Sequence, residues 1–324
     1  MKASTALRAG ASLATLALAM WWLGTRISVD ATLAALGNTQ PLMLAATVPV
    51  IIVSHIVRAY RWQLLLQHAV SINVSTLFSG VMIGYAFNTV LTRSGEVLRP
   101  WIVSRKTSAP LGILMGSVVT ERVIDVCTLV LGVCMAGIFA QPILASIVPS
   151  FSVNDVLLKL VLPILFVFVM ILVIARSPLG KRFRVLSDVA RGISLDAIRQ
   201  HPLRIVCLTL LLWMLYILPM WMIIEAVLPT SSSSFLDATL LLIAVSIAVT
   251  VAPTPGALGV YQGFAQAAAV LILGATSDAG LAFAIVAWLV NYGIAVLVGA
   301  ACLANEFRTG LRWADVHNAR NAES

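Results

Sequence analysis

The chain has 324 residues, of which 60% are hydrophobic and only 10% charged. That excludes an ordinary soluble domain, where about a quarter of residues carry charge, and it points to a polytopic membrane protein. The net charge of +8 comes from 21 basic against 13 acidic residues.

Apolar runs recur from the first residues to Leu303, and no polar stretch between them is long enough for a separate soluble domain of about 50 residues. The expectation is an all-α integral membrane protein forming one membrane domain, 1–324. It divides into a first half (1–175), a linker (176–203), a second half (204–303) and a tail (304–324). Lys2 and Arg8 before Ala9 to Leu23 resemble a signal peptide, but Met20, Trp21 and Trp22 replace a small-residue cleavage site, so a retained first span is expected.

A run of about 20 apolar residues crosses a hydrocarbon core of about 30 Å. On that measure, about six full spans fall near 7–25, 41–58, 110–140, 157–175, 204–228 and 279–303. Segments 74–92 and 236–274 are broken. Loop charge orients them. The connection Arg176 to Arg204 carries Arg176, Lys181, Arg182, Arg184, Arg191, Arg199 and Arg204, and the connection Arg93 to Lys106 carries Arg93, Arg99, Arg105 and Lys106. Basic connections belong in the cytoplasm, and both lie there if 74–92 is re-entrant. Both termini then face the cytoplasm as well. Residues 176–201, bounded by Pro178 and Pro202, read as an amphipathic helix on the membrane surface, attracted to anionic lipid.

Charges inside apolar runs need a reason. In N-T-V-L-T-R-S-G-E-V-L-R (88–99), Ser94 suits a helix N-cap and Glu96 complements the dipole of the first turn. Two readings are open. One is a local Glu96 to Arg99 pair; the other is an exposed helix N-terminus that binds an anionic head group together with Arg93. In the third full span, Glu121 lies about 16 Å from Pro110, near the bilayer midplane. Asp125 shares its face one turn on, and Arg122 is rotated about 100° away. These charges either staple helices together or line a substrate path.

The second break, V-A-P-T-P-G-A-L-G-V-Y-Q (251–262), interrupts a helix at Pro253 and Pro255, while Gly256 and Gly259 permit close packing. One break in each half points to an inverted repeat. His55, Arg58 and Arg61, beside Tyr60 and Trp62, read as interfacial anchors whose heads snorkel to water. Asn291 and Tyr292 sit midway along the last span, where polar side chains often tie helices. Cys127, Cys134, Cys207 and Cys302 read as packing residues in apolar runs. No ligand spacing implies a metal, and no cofactor is expected.

These stretches resemble the lysylphosphatidylglycerol synthase transmembrane, or flippase-like, family. The likeness runs through R-A-Y-R-W (58–62), N-T-V-L-T-R-S-G-E-V-L-R (88–99), E-R-V-I-D (121–125) and P-T-P-G-A-L-G-V-Y-Q (253–262). It implies translocation of a lipid, or support for envelope-lipid synthesis, at a bacterial cytoplasmic (inner) membrane. The sequence departs from the family where Ala257 replaces a second glycine, Gln262 a glutamate and Thr92 a proline; the change at 262 weakens any proton-coupled role there. With no aminoacyl-transferase segment in this sequence, lysine transfer is not expected.

The combined expectation is a non-enzymatic flippase for a lipid with an anionic or phosphate-bearing head group. Its partners would be that lipid and the bilayer, with no nucleic acid; a homo-oligomer or an envelope-biosynthesis partner stays open. The substrate-contacting set is Asn88, Arg93, Glu96, Arg99, Glu121, Arg122, Asp125, Pro253, Pro255, Gly256, Gln262 and Asn291. The rival readings are a scaffold for an envelope-lipid complex and a lipid-modifying enzyme that uses Glu121 or Asp125 as acid or base.

Overall fold

A computed structural model describes residue 37 and residues 39–90, 94–139, 188–189, 191–193, 195–228, 233–251 and 254–308. The expected spans 7–25 and 157–175 lie outside the described residues. Among the described residues, the regular elements are helices: α1 (Pro41–Leu66), α2 (Val74–Val90), α3 (Gly95–Thr107), α4 (Leu111–Phe139), α5 (Leu195–Gln200), α6 (Pro202–Val227), α7 (Phe235–Val251), α8 (Val260–Leu273) and α9 (Ser277–Arg308). A 3-10 turn, Pro255–Ala257, precedes α8. The protein is thus an all-α polytopic membrane protein.

Proline begins α1 and α6, where its missing N–H costs nothing and its φ suits the first turn. The carbonyl of Pro110 accepts from the amides of Ile113 and Leu114 and so opens α4, as the sequence suggests. Among the described residues, four stretches are long and apolar enough to cross a membrane: Pro41–Leu66, Pro202–Val227, Pro255–Leu273 and Ser277–Arg308. Helix α4 has 29 residues, about 43 Å of rise, and carries Glu121, Arg122 and Asp125 along its length. Helices α2 and α7 have 17 residues each, about 26 Å, a little short of the hydrocarbon core.

The same order of helix lengths occurs twice. Helices α1 to α4 have 26, 17, 13 and 29 residues, and α6 to α9 have 26, 17, 14 and 32. In each series the break separates the second helix from the third. The described helices α1 to α4 and α6 to α9 thus follow one order of lengths.

Packing divides the chain into two compact units that do not follow the halves. One unit is formed by the described residues of Met1–Val53, Val81–Leu98 and Leu215–Ser324; the other is formed by those of Ser54–Gly80 and Arg99–Met214. In the first, Ile217, Ile223, Leu241, Val245 and Phe283 form a core with Ala265, Ala269, Ala282 and Ala287. The alanines let α8 and α9 approach closely, the usual basis of helix association in lipid. In the second unit, Leu64, Leu65 and Ile205 form a smaller core against Ile124, Ile198 and Leu208.

The described part of the linker packs inward by one face. Ile193 and Ala197 are buried, and Gly192 meets α4 backbone to backbone at Ile113 and Gly116, leaving no room for a Cβ on either glycine. His68 Nε2 also lies 3.0 Å from the Arg191 carbonyl, and Arg191 pairs with Asp188. One sequence reading changes: Cys127 and Cys207 lie on exposed helix faces instead of filling the packing.

Candidate functional site

The second unit encloses a network of ionised side chains. Helix α1 supplies Arg58 and Arg61, three residues apart and hence on one face; α3 supplies Arg99, and α4 supplies Glu121 and Asp125, four apart on its facing side. Arg58 Nη1 donates to Glu121 Oε1 at 2.5 Å, and its Nη2 to Asp125 Oδ2 at 3.3 Å. Arg61 Nη2 donates to Asp125 Oδ1 at 2.6 Å and lies 3.7 Å from Glu121 Oε1. Arg99 reaches Glu121 through both Nη atoms, at 3.1 Å to Oε2 and 3.5 Å to Oε1.

Glu121 is the hub, fully buried with all three guanidinium groups around it, whereas the Asp125 side chain keeps 17% of its surface exposed. Neutral groups complete the shell. Arg61 Nη1 donates to Thr209 Oγ1 at 3.2 Å. The buried Trp62 places its ring under the Arg99 guanidinium, 4.9 Å from centroid to Cζ, while its Nε1 donates to Ser117 Oγ at 2.8 Å. Small residues allow this density: a Cβ on Gly80 would stand 2.7 Å from Val103 and 3.3 Å from the Arg99 carbonyl.

Three arginines meet two carboxylates, so the five groups carry one net positive charge. The half-buried Arg122, the next residue on α4, also acts on Glu121 electrostatically. An unpaired charge at mid-membrane costs about 2.5–3.5 kcal/mol on the insertion scale. Pairing removes most of that cost.

Arg58 and Arg61, read from the sequence as snorkelling anchors, are instead 3% and 0% exposed. The signal lay in the spacing: two arginines on the Trp62 side of α1 have the register needed to grip an i, i+4 carboxylate pair. Periodicity alone does not say whether such a face meets water, lipid or protein.

The other expected site residues belong to the first unit, Asn88, Glu96, Pro255, Gly256 and Gln262 at the two breaks and Asn291 within α9, except Arg93 and Pro253, which lie outside the described residues. The Gly95 amide, at the start of α3, donates to Asn88 Oδ1 at 2.7 Å, and the Gly95 Cα sits directly on the Gly84 carbonyl. Ser94 stands at the N-cap position, where its carbonyl accepts from the Leu98 amide at 2.9 Å, and its hydroxyl donates to the Phe87 carbonyl at 3.3 Å. Glu96 lies in the first turn of α3.

At the second break, Pro255 opens the 3-10 turn, and Gly256 takes a left-handed φ of 59° with its Cα turned toward the Thr89 carbonyl. The Gly256 carbonyl accepts from Trp288 Nε1 at 2.7 Å, and Trp288 stacks on Tyr292 at 5.5 Å. The amide of Gly259, which caps α8, donates to Gln262 Oε1 at 2.8 Å. A side-chain amide oxygen thus caps the helix after each break. Asn291 donates back to its own helix, Nδ2 to the Ala287 carbonyl at 2.8 Å.

The description "Lysylphosphatidylglycerol synthase TM region" belongs to a family whose sequence model matches residues 10–299. No curated protein matches the chain, and no solved structure does. The match takes in both breaks and every member of the buried ion network, and the chain belongs to the lysylphosphatidylglycerol synthase TM-region family of membrane proteins linked to lipid metabolism.

Proposed function

We propose that the protein translocates a lipid with an anionic or phosphate-bearing head group across the bacterial cytoplasmic membrane, without changing it covalently. The observation that carries this reading is the charge surplus of the buried network: Arg58, Arg61 and Arg99 around Glu121 and Asp125, with Arg122 beside them. Arginine forks match the paired oxygens of a phosphate, and a positive site enclosed by apolar helices gives the head group a stop that the bilayer interior lacks. The acyl or prenyl tails stay in lipid. The chain sits with both termini in the cytoplasm, as the basic connections at 93–106 and 176–204 require.

Liposomes containing the purified protein and a head-group-labelled lipid test this. Wild type speeds translocation, while Arg122→Ala and Glu121→Gln reach the membrane in equal amount but lose the activity. Normal rates in both variants would move the function away from the network.

A further inference from the structure

The two carboxylates of the network are not equivalent. Glu121 is fully buried and contacts all three arginines, whereas Asp125 keeps 17% of its side chain exposed and, of these three arginines, contacts Arg58 and Arg61. Its two oxygens are held separately, Oδ1 by Arg61 Nη2 at 2.6 Å and Oδ2 by Arg58 Nη2 at 3.3 Å. Two guanidinium groups gripping the two oxygens of one monoanion form the arrangement that would hold the two non-bridging oxygens of a phosphodiester.

Resting on the transport reading, we infer that Asp125 is a resident substitute for the lipid phosphate: it occupies the Arg58–Arg61 pair in the unloaded protein and gives it up when the head group arrives. The exchange keeps the site's charge constant, because one monoanion replaces another. Glu121 stays in place and prevents the three arginines from repelling one another while Asp125 moves. The longer 3.3 Å contact to Arg58, which also has Glu121 at 2.5 Å, marks the side from which Asp125 lets go first. A displaceable internal anion also explains how the site releases its cargo. Asp125 competes for the same two arginines, so its return to the pair displaces the phosphate.

The test uses the full chain in nanodiscs, with phosphatidylglycerol labelled on one tail as the probe. Asp125→Asn, which removes the competitor, binds it about tenfold more tightly than wild type, and Arg61→Ala loses binding. Equal or weaker binding by Asp125→Asn overturns the inference. A second measurement needs no variant: carbodiimide-driven amine labelling of wild type. Phosphatidylglycerol raises the labelling of Asp125 and leaves Glu121 protected, while phosphate-free diacylglycerol changes neither. Unchanged or reduced Asp125 labelling overturns the inference, and an equal rise with inorganic phosphate alone would assign the exchange to free phosphate and overturn the lipid claim. If both measurements come out as expected but liposomes show no translocation, the transport reading alone falls. If translocation is seen without release of Asp125, only the present inference falls.

Discussion

Glu121→Gln probes the network at its hub. The substitution keeps the shape of the side chain and removes one negative charge from a fully buried position facing Arg58 at 2.5 Å, Arg99 at 3.1 Å and Arg61 at 3.7 Å. Asp125 then remains as the carboxylate opposite three arginines, and it touches two of them. Breaking one buried ion pair costs about 3–5 kcal/mol, because the surviving charge is left uncompensated. Here one hub serves three charges, so the upper part of that range is expected, about 4–5 kcal/mol. The amide oxygen of glutamine still accepts a hydrogen bond, and this keeps the loss from growing further. Asp125→Asn, at the rim, should cost less, about 1–3 kcal/mol. Reversible unfolding in mixed micelles measures both. A Glu121→Gln loss below about 1 kcal/mol, the range of exposed pairs, would refute the claim that this network is buried and coupled.

Other consequences follow from the same geometry. Trp62→Phe keeps an aromatic ring under Arg99 but removes the hydrogen bond to Ser117 Oγ, so a loss of about 1 kcal/mol is expected. Trp62→Ala opens a cavity and should cost about 3–5 kcal/mol; equal effects in thermal unfolding would mean that the ring itself contributes little. Gln262→Ala removes the acceptor that caps α8 and should cost about 1 kcal/mol, while Gln262→Glu keeps the acceptor and stays near wild type. If the glutamate variant falls as far as the alanine one, the cap is not what residue 262 provides. Gly192→Ala forces a methyl group against the Ile113 backbone; faster hydrogen exchange in 195–200 and in the first turns of α4 should report the undocked linker, and unchanged exchange would argue against that contact.

The helices were legible because apolar runs longer than about 20 residues leave few alternatives in a bilayer. The breaks were legible too, since prolines and glycines interrupt the hydrogen-bond ladder wherever they occur. Glu121 and Asp125 stood out for their cost in an apolar helix. Their partners did not stand out equally. Arg58 and Arg61 fall near the end of an apolar run, where a snorkelling arginine and a buried one look alike, and only the approach of α4 decides between them. Asn88 and Gln262 stand in the expected substrate-contacting set, beside the two breaks. In the fold their side-chain oxygens accept from Gly95 and Gly259, because a helix end left without an acceptor in a membrane interior would be costlier still. The linker carried a strong basic pattern, and charge pattern alone places it at a surface. The small size of Gly116 and Gly192, which lets it dock, signals contact only when both glycines are known to face each other.

Translocation by the wild-type protein tests the central claim most directly. Liposomes with and without the purified chain would be loaded with head-group-labelled phosphatidylglycerol or with an uncharged glycolipid control, and the fraction of label reachable by an impermeant quencher followed over time. The account predicts that the protein speeds the crossing of the phosphate lipid and leaves the control near the protein-free rate. Equal rates with and without protein for the phosphate lipid would contradict it.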